Sequence, residues 1–112
     1  MDRVSVDLRV PGVALVSLCG EHELYGALKL REKIASLLED GRSIVVDLTE
    51  AVFVDSSIVG VLLEAKRLAA DRGVDYSVVL GRTTGEPVRR MFEMTGLDGI
   101  LPVIERDAPA PS

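Results

Sequence analysis

The chain has one cysteine, no tryptophan, and only two tyrosines and two phenylalanines among its 112 residues. With Cys19 alone, no intramolecular disulfide can form, so a reducing interior is the natural setting. Cys19 itself reads as a small buried hydrophobe closing the apolar run that starts at Val13. So few aromatics leave a core of Val, Leu, Ile and Ala, which suits a layered α/β fold better than a small β-sandwich. Basic residues are also short: 13 Lys and Arg stand against 18 Asp and Glu, a net charge of −5. Nucleic-acid binding needs a basic footprint, and none is present. No stretch approaches the roughly 18 consecutive apolar residues of a membrane span. The opening Asp2-Arg3 lacks the apolar run of a signal peptide. These absences predict a soluble cytoplasmic domain with no membrane or nucleic-acid partner.

What is present is a strict alternation of patterns. Val4, Val6, Leu8 and Val10 alternate with polar residues, predicting a half-buried strand over 4–10. Pro11-Gly12 signals a turn, and Val13–Leu18 a second strand, so the pair reads as a hairpin broken at Gly20. From Leu24 the spacing turns helical, with Ala27, Leu30, Ile34, Leu37 and Leu38 on one face and Gly41 as the stop. A central strand is expected over Ser43–Leu48, followed by a connection through Thr49–Val54. A second helix starts at Ile58 and ends near Gly73, and Val74–Leu80 makes the next strand. Glu86-Pro87 opens a third helix that ends at Thr95-Gly96. Its Val88, Met91 and Phe92 face inward, and Met94 packs at its end. Arg89 and Arg90 read as its solvated face. A last short edge strand falls within Ile100–Ile104, beside Pro102. Residues 1–106 form one domain, and the Ala- and Pro-rich stretch 107–112 a disordered tail. The predicted order is β-β-α-β-α-β-α-β: a mixed β-sheet with helices packed on it.

Asp55-Ser56-Ser57 stands at a strand-to-helix junction, where partners of α/β sheets tend to meet the fold. Helix capping alone accounts for Asp and Ser there, at about 1 kcal/mol over alanine. One residue suffices for a cap, however, and three polar residues lie between the apolar Val54 and Ile58. A hydroxyl at that position can also accept a phosphoryl group, placing a dianion beside free backbone N–H groups and the positive end of the helix.

The stretch Val45 to Leu62, with Asp47-Leu48, Phe53-Val54, Asp55-Ser56-Ser57 and Gly60, resembles the signature of STAS-domain anti-sigma factor antagonists. Leu18-Cys19-Gly20-Glu21-His22-Glu23 is similar to the family's Gly-Glu-x-Asp segment. Val88 to Leu97 is similar to its third helix and exit. The resemblance spans residues 3–105 and implies a single STAS-like domain acting as a partner switch. The unphosphorylated protein would bind an anti-sigma factor that is also a serine kinase, freeing the sigma factor for transcription. The kinase would phosphorylate Ser56 and a metal-dependent serine phosphatase would reverse it. By the same carry-over Asp55 assists positioning, Ser57 caps the helix or touches the partner, and Glu21, His22 and Glu23 line the adjacent surface. Ile58 stands where the family usually has Gly, and Glu23 where Asp is usual. A monomer or weak dimer with no cofactor is expected.

The remaining constellations are weaker. Arg82 and Thr84, in the polar loop Gly81–Gly85, could rim the partner site. His22 reads as an exposed loop residue; a hydrolase triad with Ser56 lacks the Gly-x-Ser-x-Gly elbow. Adjacent Glu21, His22 and Glu23 rarely converge on a metal. The alternative to a switch is a non-switching STAS scaffold or an accessory subunit of a stress-signalling complex or transporter, a reading that Ile58 favours.

Overall fold

A computed structural model describes residues 2–106; the tail expected at 107–112 lies outside the described residues. Strand β1 (Arg3–Asp7) pairs antiparallel with β2 (Val13–His22), the expected hairpin. The alternation continuing through Leu8 and Val10 does not extend β1. The Asp7 carboxylate accepts the Arg9 backbone N–H at 2.9 Å and its guanidinium at 2.6 Å, turning the chain. Leu8 and Val10 are consequently exposed.

Gly20 does not end β2. At φ +84° it makes a bulge that glycine tolerates, the register shifts, and the strand continues onto a new partner. Val13–Ser17 pair parallel with β3 (Ser43–Asp47), whereas Gly20–His22 pair parallel with β4 (Ala51–Val54). Strand β4 is an addition to the expected order. Five strands follow the order β1-β2-β3-β5-β6, with β4 attached to β2 beside them. Strands β5 (Tyr76–Leu80) and β6 (Val103–Glu105) extend the sheet in parallel. Strand β6 starts only at Val103 because the turn begun over Leu97–Gly99 runs on, with the Leu101 N–H donating to the Leu97 carbonyl at 2.8 Å.

Helices α1 (Leu24–Glu39) and α2 (Ser56–Asp71) pack together, with an Arg31–Glu64 ion pair of 3.2 Å across them. Helix α1 buries the predicted Ala27, Leu30, Ile34, Leu37 and Leu38; α2 buries Ile58, Val61, Leu62, Ala65 and Ala69. Helix α3 (Glu86–Thr95) packs on β4, burying Val88 and Phe92. Met94 points outward at 79% exposure, contrary to the packing expected of it. All these faces meet Val16, Leu18, Ile44, Val46 and Val78 in one aliphatic core. Each fully buried Leu or Ile there contributes about 1.5–3 kcal/mol. No helix among the described residues is long and apolar enough to cross a membrane.

Candidate functional site

The parallel ladders bring the C-terminal ends of β2 and β4 to one rim, and α2 begins there. Asp55 leaves β4 with extended backbone and becomes the N-cap of α2. Its Oδ1 accepts the backbone N–H groups of Ser57 at 3.0 Å and Ile58 at 3.2 Å, and a short hydrogen bond from the Ser57 hydroxyl. The Ser57 hydroxyl above all, then the two amides, holds the Asp55 carboxyl below the usual carboxylate range against the desolvation that opposes them. The cap is thus Asp55 and not Ser57. It also occupies amides expected to be free at this helix start.

Ser56 is the first residue of α2 and is exposed, while Ser57 is half-buried with its hydroxyl committed to Asp55. Ile58, expected at the partner surface, is 0% exposed and lies in the core. Its branched side chain is therefore packed inside the fold and not exposed at the surface where it was expected.

The segment Glu21–Glu23 is joined to this helix start through the backbone. His22 opposes Val54 in the β2–β4 ladder, and the Asp55 N–H donates to the His22 carbonyl at 3.2 Å. Glu21 and Glu23 are exposed on either side. His22 is not the exposed loop residue expected: it lies within β2 and is 3% exposed. Its Nε2 is 2.7 Å from the Cys19 carbonyl, which can only accept, so Nε2 carries the proton. A cavity of about 340 Å³ opens beside it, lined by Asp2, Glu21, Glu23, Tyr25 and Lys29 among others.

The loop after β5 is anchored at the opposite end of β4. The Thr84 hydroxyl donates to the Leu48 carbonyl at 3.0 Å and accepts the Gly81 N–H at 2.8 Å. Thr84 is buried, so it fastens the loop where a rim residue was expected. The Gly85 N–H donates to the Ala51 carbonyl at 2.8 Å, and a Cβ on Gly85 would fall 2.3 Å from the Val52 oxygen. Arg82 is exposed on that loop, with the length of β4 between its anchor and Ser56. The segment Glu21–Glu23 and the start of α2 meet through the β2–β4 ladder, whereas Arg82 lies on the loop fastened at the other end of β4. Sequence reading missed the 2.9 Å ion pair by which Arg106 reaches the buried Asp47 at the end of β3. A lone acid after Ile44-Val45-Val46 was its one sequence signal.

An acid-capped helix beginning with an exposed serine, set on a mixed sheet, defines a class of domain. The family described as "Mlab, STAS domain" matches residues 6–103, and the chain belongs to the STAS domain family. Two of its curated relatives are anti-sigma factor antagonists. It is 30% identical over 101 residues to the anti-sigma F factor antagonist of Paenibacillus polymyxa, covering 88% of this chain and 84% of the relative. It is 28% identical over 88 residues to the anti-sigma-B factor antagonist of Bacillus subtilis strain 168, covering 79% and 78%. The crystal structure of an anti-sigma factor antagonist from Mycobacterium paratuberculosis aligns with a TM-score of 0.78 at 26% identity, over 92% and 85% of the two chains. The Bacillus cell fate determinant SpoIIAA in its phosphorylated form shares the fold, with a TM-score of 0.73 at 19% identity over 93% and 91%.

Proposed function

We propose that the protein is a cytoplasmic anti-sigma factor antagonist whose binding of an anti-sigma factor is switched by phosphorylation of Ser56. The observation that carries this reading is the division of labour at the start of α2. Asp55 supplies the cap and Ser57 supports Asp55, so the exposed Ser56 hydroxyl is left without a structural duty. A phosphoryl group there adds about −1.5 to −2 charge. Because Asp55 already holds the Ser57 and Ile58 amides, that charge stays on the surface instead of folding onto the helix end. It lands beside the Asp55 carboxylate and the acidic Glu21 and Glu23, on the surface that docks the partner. Binding is then lost by charge repulsion and desolvation while the fold survives.

The kinase is the anti-sigma factor itself, acting with ATP, and a metal-dependent phosphatase restores the binding form. In this reading the protein is the substrate of the kinase and supplies only the acceptor hydroxyl of Ser56. Incubation with the cognate anti-sigma kinase and ATP should add one phosphate by intact mass, lost in Ser56→Ala and retained in Ser57→Ala. Ser56→Asp should abolish capture of the anti-sigma factor. No phosphate on Ser56, together with unchanged capture by Ser56→Asp, refutes the reading.

A further inference from the structure

His22 is the chain's single histidine, and it is buried between two exposed glutamates. Three elements meet on it. Its carbonyl accepts the Asp55 N–H at 3.2 Å, at the entry to α2. Its Nε2 donates to the Cys19 carbonyl at 2.7 Å, spanning the bulge at Gly20. Its ring lies against the first turn of α1. A Cβ on Gly26 would fall 2.5 Å from Nδ1 and 3.2 Å from both His22 Cβ and Cγ.

Gly26 sits inside α1 and is not among the glycines with positive φ, so its backbone conformation does not call for glycine. Alanine is the far better helix former. What glycine provides is space, and the imidazole fills it. The N-cap of α1, Glu23, makes no side-chain capping hydrogen bond, and the ring packs directly against this helix start at Gly26.

We propose that His22 is the positioning residue of the Ser56 site and that Gly26 is the glycine that admits it. The ring, through one residue, fixes both acidic flanks of the rim and the carbonyl on which the α2 cap hangs. Moving the ring moves Glu23 and the Asp55 entry together. The importance of this for switching rests on Ser56 being the phosphoacceptor; the geometry itself is tested without that assumption.

The test compares the full chain with Gly26→Ala, His22→Ala and the double variant. In the wild-type background Gly26→Ala should lower Tm despite its better helix propensity, and the Asp55 amide should exchange about fivefold faster, the loss of roughly one hydrogen bond. In the His22→Ala background the same Gly26→Ala change should raise Tm, because the clash is gone and only the propensity gain remains. With the Ser56 kinase, Gly26→Ala should raise KM with little change in kcat, and the KM should fall back when His22→Gln is added, since the amide can still donate to the Cys19 carbonyl without a ring. A Tm gain for Gly26→Ala alone, or unchanged Asp55 exchange, overturns the proposal. So does an unchanged KM when wild type is phosphorylated. Should Gly26→Ala not fold, recovery of folding in the double variant supports the proposal, and its failure to recover overturns it. If wild type itself is never phosphorylated, the functional reading falls, and the exchange and Tm results decide the positioning role by themselves.

Discussion

Replacing Asp55 separates capping from charge. Its Oδ1 carries three hydrogen bonds, two from backbone amides that have no intrahelical partner. Asp55→Ala removes all three and should cost about 1–2 kcal/mol, the range for losing a good N-cap. At this chain length that lowers Tm by about 4–8 °C per kcal/mol. Asp55→Asn keeps a side-chain oxygen in the same place, and Asn caps nearly as well as Asp, so it should cost only a few tenths of a kcal/mol. The remaining difference between Asp and Asn is electrostatic and therefore depends on pH. The folded Asp55 pKa lies below its ordinary value of 3.8. The charged form thus contributes stability that is fully present above the unfolded pKa and is lost as pH falls through the folded one. Urea titrations of the three proteins between pH 2 and 7 measure this. Wild type and Asp55→Asn should converge at the acidic end, with Asp55→Ala below both throughout. If Asp55→Ala unfolds with wild type, or Asp55→Asn falls as far as Asp55→Ala, the capping account is wrong.

Thr84→Val should cost about 2–3 kcal/mol by denaturant unfolding, since it leaves the Gly81 N–H and the Leu48 carbonyl without their bonds to the Thr84 hydroxyl. A near-neutral result would mean that water replaces both. Ile58→Ala should cost about 2–5 kcal/mol, because the side chain is wholly buried, and Ile58→Gly about 1 kcal/mol more through lost helix propensity. If Ile58→Gly is instead well tolerated and speeds Ser56 phosphorylation, Ile58 faces the partner after all.

Periodicity made the three helices legible, because each buries a wide apolar stripe against the sheet. Strand β4 was hidden: four residues with one polar dipeptide before them carry too little pattern to separate a strand from a connection. Gly20 reads identically as a terminator or a bulge, and only the arrival of β4 as a second partner decides for the bulge. That decision also buries His22, whose neighbours in sequence are all polar or exposed on the strand end. In the site, the Asp-Ser-Ser motif located the helix start, yet which residue caps depends on backbone angles that composition does not encode. Leu8 and Val10 failed in the opposite direction, since alternation persists past the point where Asp7 turns the chain. Arg106 was out of reach because its partner Asp47 lies 59 residues away.

The forked pairing of β2 also sets where this fold yields. Five residue pairs zip β2 to β3, but only three, interrupted by a bulge, hold it to β4. The short ladder is a weaker seam than β2–β3, and the start of α2 hangs from it. Thermal fluctuation should open this seam before the β2–β3–β5 ladder, detaching the rim as a unit. The domain can therefore bend, strain or remodel its outward edge with its main sheet intact. This yielding seam and the acidic, serine-bearing rim share the same few residues.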